Sequence, residues 1–157
     1  MMLRLPYQPV MLDPTKPPPP SLPSGAQVRW RPLIRIRILG PTKRHWDCDK
    51  ALVDSGADDT LIPLDVAKLI AAQLLPDQGH GHSWRGTRHS MRFAKVELEL
   101  TDDVSVWRWP ALVAFTTAPL RYPLLGHCGF FEYIEAKFLD ASRIIELEPN
   151  SAYPGTT

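Results

Sequence analysis

The chain has 157 residues, 44% of them hydrophobic and 22% charged, a balance that suits one ordinary domain with a real core and excludes bulk disorder. Lys+Arg number 18 against 17 Asp+Glu, so a net charge of +1 leaves no global electrostatic footprint for nucleic acid or an anionic membrane. No apolar run nears the ~20 residues that span a bilayer, and two cysteines are too few for a disulfide scaffold or a four-cysteine zinc site.

The opening residues, Met1 to Pro6, lack the continuous apolar core of a signal peptide. The expected compartment is therefore the reducing cytoplasm, with Cys48 and Cys128 as buried thiols. Eight of the 17 prolines fall in residues 1–24, and Pro17 to Pro20 run unbroken. A stretch without amide donors propagates neither helix nor sheet, so residues 1–26 read as an extended, proline-rich arm or spacer. The domain is expected over residues 27–149 and a short tail over 150–157.

Ile34, Ile36 and Ile38 alternate with Arg35 and Arg37, the period of a half-buried strand. Gly40-Pro41 breaks it, and a second extended stretch, Cys48 to Val53, completes a hairpin that stops at Asp54. Pro63 suits the first turn of a helix whose Leu64, Ala67, Ala71 and Leu74 share a face, ending before Pro76. Ala94, Val96, Leu98 and Leu100 alternate with Lys95, Glu97 and Glu99 in a clear strand. Thr101-Asp102-Asp103 turns the chain into a β pattern from Val104 to Phe115, around Pro110. A second short helix is expected from Gly126 through Phe131, and late strands at Tyr133 to Leu139 and Ile144 to Leu147. The sum is a mainly β fold with one or two short helices.

Chemistry concentrates in Leu52-Val53-Asp54-Ser55-Gly56-Ala57-Asp58-Asp59-Thr60. An apolar strand ends abruptly at an acid, a hydroxyl residue and a glycine. The strand anchors the carboxylate, Ser55 can hydrogen-bond beside it, and Gly56 lets the backbone turn and a ligand approach. Such a carboxylate serves as a general base when a neighbour adjusts its pKa. The run resembles the active-site segment of the retropepsin-like aspartic proteases at every position of that family's pattern. Leu124-Leu125-Gly126, followed by Phe130-Phe131, is similar to the family's second element, the apolar pair and glycine that pack beneath the catalytic loop.

The resemblance implies a single-lobe acid-protease fold, a closed β barrel with one or two short helices. It also implies a symmetric homodimer, because the chain carries one Asp-Ser-Gly and the family's chemistry needs two aspartates. A water held between two Asp54 carboxylates would attack the scissile carbonyl of a peptide or protein substrate, with no metal, cofactor or nucleotide. Ser55 and Gly56 would support the catalytic loop, and Gly56, Ala57 and Asp58 would bind an extended substrate strand. The flap is expected from His82 to His89, with Trp84 over the substrate and Gly86 near the tip. Where retroviral enzymes place an arginine, this chain has His127, which is expected to pair with Asp58 when protonated. A non-catalytic dimerisation or peptide-binding module of the same fold is the alternative.

Other features have plainer readings. His80, His82 and His89 could meet on one strand face, but no acid or thiol stands at a ligand spacing, so they read as solvated loop histidines. Arg29, Trp30, Arg31, Arg35, Arg37, Lys43, Arg44 and Trp46 could contact nucleic acid. With so small a net charge they read as a solvated strand face with packed aromatics, and neither nucleic acid nor membrane is expected as a partner. Trp107 and Trp109 share a strand face and read as packing.

Overall fold

Alternating apolar residues and turn signals build twelve strands, one α-helix and one 3-10 turn, seen in a computed structural model that describes residues 1–156. β4 (Leu33–Leu39) and β5 (His45–Val53) form the expected antiparallel hairpin. β8 (Thr87–Thr101) and β9 (Val106–Thr116) form a longer one, register Ala94↔Val113. The Asp102 carboxylate holds its turn by accepting from the Val104 and Ser105 amides.

β6 (Leu61–Pro63), β7 (Gly81–Trp84) and β10 (Leu124–Leu125) complete a seven-stranded sheet ordered β4-β5-β10-β6-β9-β8-β7. β4 also pairs with β8, so the sheet closes on itself as a ring. In β8, Ala94, Val96, Leu98 and Leu100 face inward, as the alternation requires. Glu99 breaks the alternation, buried because Arg108, its cross-strand partner, donates to it through Nε at 2.9 Å. Pro110 is tolerated within β9 because the Arg108 amide already points away from β8, toward Thr156, and the nitrogen two residues on points the same way. Trp107 and Trp109 are fully buried in the main core with Ile36, Ile38 and Phe115, so they pack as expected.

The first 26 residues divide differently from the single arm expected. β1 (Leu3–Pro6) pairs with β12 (Ile144–Pro149), which pairs with β11 (Ile134–Leu139) in a second, three-stranded sheet. β2 (Gln8–Met11) pairs with β3 (Val28–Arg31). Leu3, Tyr7 and Val10 are buried, so apolar side chains tie this segment to the domain despite its prolines. The proline-rich stretch is the connection within the β2–β3 hairpin. At the other end Gly155 packs against the Arg108 carbonyl, where a Cβ would stand 2.0 Å away.

Both helix expectations need correction. α1 spans only Leu64–Leu69, because Ile70 caps it and Ala71 turns left-handed at φ 54°. No helix forms over Gly126–Phe131. Gly129 lies at φ 89°, outside helical space, and the segment is held by turn bonds such as Phe131 N–H to the Gly126 carbonyl. Among the described residues no helix is long and apolar enough to cross a membrane.

Candidate active site

β5 delivers the Asp54 loop and β10 supports it. The two run parallel, Leu124 beside Leu52 and Leu125 beside Val53, and the Asp54 amide donates to the Leu125 carbonyl at 3.0 Å. Beyond Asp54 the chain turns tightly. The Ala57 amide donates to the Asp54 carbonyl at 3.1 Å, and the Gly56 amide donates to Asp54 Oδ1 at 2.9 Å. That last bond fixes the carboxylate's orientation from within its own loop.

The loop is laced to the Leu124-Leu125-Gly126 segment by main-chain bonds. His127 N–H donates to the Ala57 carbonyl at 2.9 Å, Cys128 N–H to the Asp58 carbonyl at 2.8 Å, and Thr60 N–H to the Cys128 carbonyl at 3.1 Å. Thr60 Oγ1 donates to that same Cys128 carbonyl at 2.8 Å and accepts from Gly126 N–H at 3.3 Å. Glycine is obligatory at 126, where a Cβ would stand 2.3 Å from the Asp59 carbonyl oxygen and 2.6 Å from that of Ala57.

This lacing leaves Asp54 half-buried and Ser55, Gly56 and Asp58 exposed, with Ala57 packed against a small apolar cluster of Val10, Leu33, Leu52, Leu61, Ala114 and Leu124. Asp54 and Ser55 line an open cleft of about 580 Å³. Its other walls include Arg29, Trp30 and Arg31 from β3, Leu22 from the proline-rich connection, and Phe138, Asp140 and Arg143 from the second sheet's hairpin.

The expected flap is a hairpin of β7 with the start of β8, register Trp84↔Thr87. Arg85 and Gly86 form its two-residue turn with φ of 49° and 80°, the double left-handed turn that matches strand twist. Gly86 therefore sits at the tip. Trp84 packs against the same small cluster as Ala57, and its Nε1 is buried without a hydrogen-bond partner. The hairpin base is held by His82 Nε2 and Thr116 Oγ1, 2.6 Å apart. Burial, followed by the neighbouring Asp58, pushes the Asp59 carboxyl above the usual range, against a smaller opposing pull from His80 and His82.

Three expectations change here. Among the described residues no ion pair joins Asp58 to His127. The His127 ring lies 5.4 Å from the Phe131 ring and places Nε2 2.7 Å from the Ser55 carbonyl instead. Cys128 is exposed and Cys48 only partly buried, because Cys128 sits on the outward turn after Gly126. The arginine–tryptophan stretch divides in two: Arg35 and Arg37 pair with acids on the sheet face, whereas Arg29 to Arg31 turn into the cleft. Among the described residues no group of three or more His, Cys, Asp or Glu converges as a metal site.

Sequence reasoning gave Thr60 no role and missed the cleft walls. Thr60 stood in the motif, but Arg143 and Phe138 reach Asp54 only through folding of the second sheet. No protein-family model matches this chain, and no curated protein sequence matches it either.

Proposed function

We propose that the chain is an aspartic endopeptidase of the retropepsin-like kind, a homodimer of single-lobe barrels that hydrolyses peptide bonds between two Asp54 carboxylates. The observation that carries this reading is the loop itself. Asp54 stands at a strand end, oriented by the Gly56 amide and braced by Leu125, at the edge of an open cleft. Gly56 and Asp58 are exposed where an extended peptide would lie, and the Trp84 hairpin stands on the same apolar cluster as Ala57.

One carboxylate per chain makes the site incomplete until a second copy supplies its own. Two such groups a few Å apart cannot both ionise readily, so the pair holds one proton between them, as in aspartic proteases generally. The ionised member takes a proton from the bound water as it attacks the scissile carbonyl. The protonated member donates to the carbonyl oxygen, and proton return to the amine completes cleavage. Ser55 hydroxyls cross-link the two loops. No step draws on a metal or cofactor. Two free thiols suit a reducing, cytoplasmic setting.

The test is Asp54→Asn. Wild type is expected to cleave a mixed peptide library between pH 3 and 8. The variant should lose about 10³-fold in kcat while sedimentation equilibrium returns the same dimer mass. A monomer under cleaving conditions, or cleavage undiminished in the variant, ends the proposal. An intact dimer that cleaves nothing leaves a peptide-binding module of the same fold.

A further inference from the structure

Of the twelve arginines, Arg44 and Arg121 lie outside both the cleft lining and the flap hairpin and, among the described residues, have no carboxylate within 4.0 Å; the other ten fall into two groups. Arg4, Arg35, Arg37 and Arg108 each lie within 4.0 Å of a carboxylate, and none lines the Asp54 cleft. Among the described residues no carboxylate comes that close to Arg29, Arg31 or Arg143 in the cleft, or to Arg85, Arg88 or Arg92 on the flap hairpin. The flap is also acid-free by sequence. From Gln78 to Val96 there are three Arg, one Lys and three His, and no Asp or Glu.

Several of these guanidinium groups are held in place without being neutralised. Arg92 Nη2 donates to the Leu75 carbonyl at 3.0 Å while its Nε is buried with no partner. Arg88 Nη2 reaches the Gly79 carbonyl at 3.4 Å. Arg143 stacks over the Trp30 ring, 4.4 Å from its centre. Like charges gathered in the cleft, and along the flap hairpin, repel one another, and an anionic ligand relieves that repulsion. Of the two acids that line the cleft, Asp140 accepts from the Tyr7 hydroxyl at 2.6 Å and Asp54 from the Gly56 amide at 2.9 Å.

We propose that the cleft selects peptide segments with acidic side chains on both sides of an uncharged, apolar scissile pair. This rests on the reading of the cleft as a peptide site. An extended strand advances about 3.3 Å per residue, so side chains two or three positions from the scissile bond leave the Asp54 loop and reach the arginine-bearing rim and flap. At the centre Asp54 and the exposed Asp58 repel a carboxylate, while Trp30, Leu52 and Phe138 line the cleft with apolar surface. A nucleic-acid strand fits less well, because its continuous phosphates would have to cross those two aspartates. A peptide can alternate charged and neutral positions.

The experiment uses full-length Asp54→Asn protein and three fluorescein-labelled peptides of one apolar core, flanked by Glu, Gln or Lys. At low salt, anisotropy is expected to show the Glu peptide binding about tenfold more tightly than the Gln peptide and the Lys peptide most weakly. That advantage should fall to about threefold or less in Arg85→Gln/Arg88→Gln and, separately, in Arg29→Gln/Arg31→Gln. Circular dichroism melts identify any variant that has lost its fold. Equal binding of the Glu and Gln peptides, or an advantage unchanged in both folded variants, overturns the inference. So does a single-stranded oligonucleotide that outcompetes the Glu peptide. Preferential Glu binding without cleavage by wild type would remove the proteolytic reading and leave the acidic-peptide selectivity standing.

Discussion

Thr60 has no solvent exposure, and its hydroxyl is used in both directions, donating to Cys128 and accepting from Gly126. Thr60→Val keeps the shape, strands the Gly126 N–H and leaves the Cys128 carbonyl only the residue-60 amide, at an expected cost of about 1–3 kcal/mol, readable by urea denaturation. Gly126→Ala places a Cβ against two carbonyl oxygens that are backbone and cannot swing aside. It is expected to cost about 3 kcal/mol and to reduce any peptide cleavage with it, because the displaced strand carries the support for Asp54. Both residues were visible in the sequence as members of a motif. The orientation of His127 was not, since the direction of its ring depends on Phe131 and on the Ser55 carbonyl, residues brought together by the loop as a whole.

At the scale of elements, α1 and the flap turn show how local backbone chemistry sets length. The helix closes with two reverse bonds, Ala72 N–H to the Ala67 carbonyl at 2.9 Å and Ala71 N–H to the Lys68 carbonyl at 3.2 Å. That closure needs a left-handed residue, and alanine occupies it. Ala71→Gly is expected to stabilise the protein by about 1 kcal/mol, raising Tm by about 2–4 °C. Apolar spacing alone carried the expected helix on to Leu74, because periodicity does not register a stop made by an alanine. In the flap, Gly86 has open space around it and is required by its φ of 80°. Gly86→Ala should cost about 1 kcal/mol, seen as faster hydrogen exchange of flap amides with an unchanged global Tm.

Over the whole molecule, tyrosines tie the termini to the body. The Tyr7 hydroxyl donates to Asp140 Oδ1 at 2.6 Å, and the Tyr153 hydroxyl donates to the Arg108 carbonyl at 3.1 Å. Burial, reinforced by Asp140, pushes the Tyr7 hydroxyl well above its ordinary range, and burial raises Tyr153 and Tyr133 too. Each folded-state proton is therefore held more tightly than in the unfolded chain. The resulting stability is complete below the ordinary tyrosine pKa of about 10 and is lost as pH rises through the folded values. Thermal melts from pH 8 to 12 are expected to show Tm falling above about pH 10, less steeply in Tyr7→Phe than in wild type. Equal slopes would show that Tyr7 does not carry the linkage.

Period-two alternation determined the β4 and β8 strands from sequence alone, because a pleated strand buries every second side chain whatever it pairs with. The Asp54-Ser55-Gly56 run and the Arg85-Gly86 tip were equally local, each set by the backbone freedom of a few adjacent residues. Tertiary structure decided the rest. It paired β1 with β12, shaped the cleft walls from Arg29 to Arg31 and Arg143, and gave four arginines acid partners while leaving those of the cleft and the flap hairpin without. Those outcomes depend on contacts between residues far apart in the chain, and pairings of that kind leave no periodic signature in the amino-acid order.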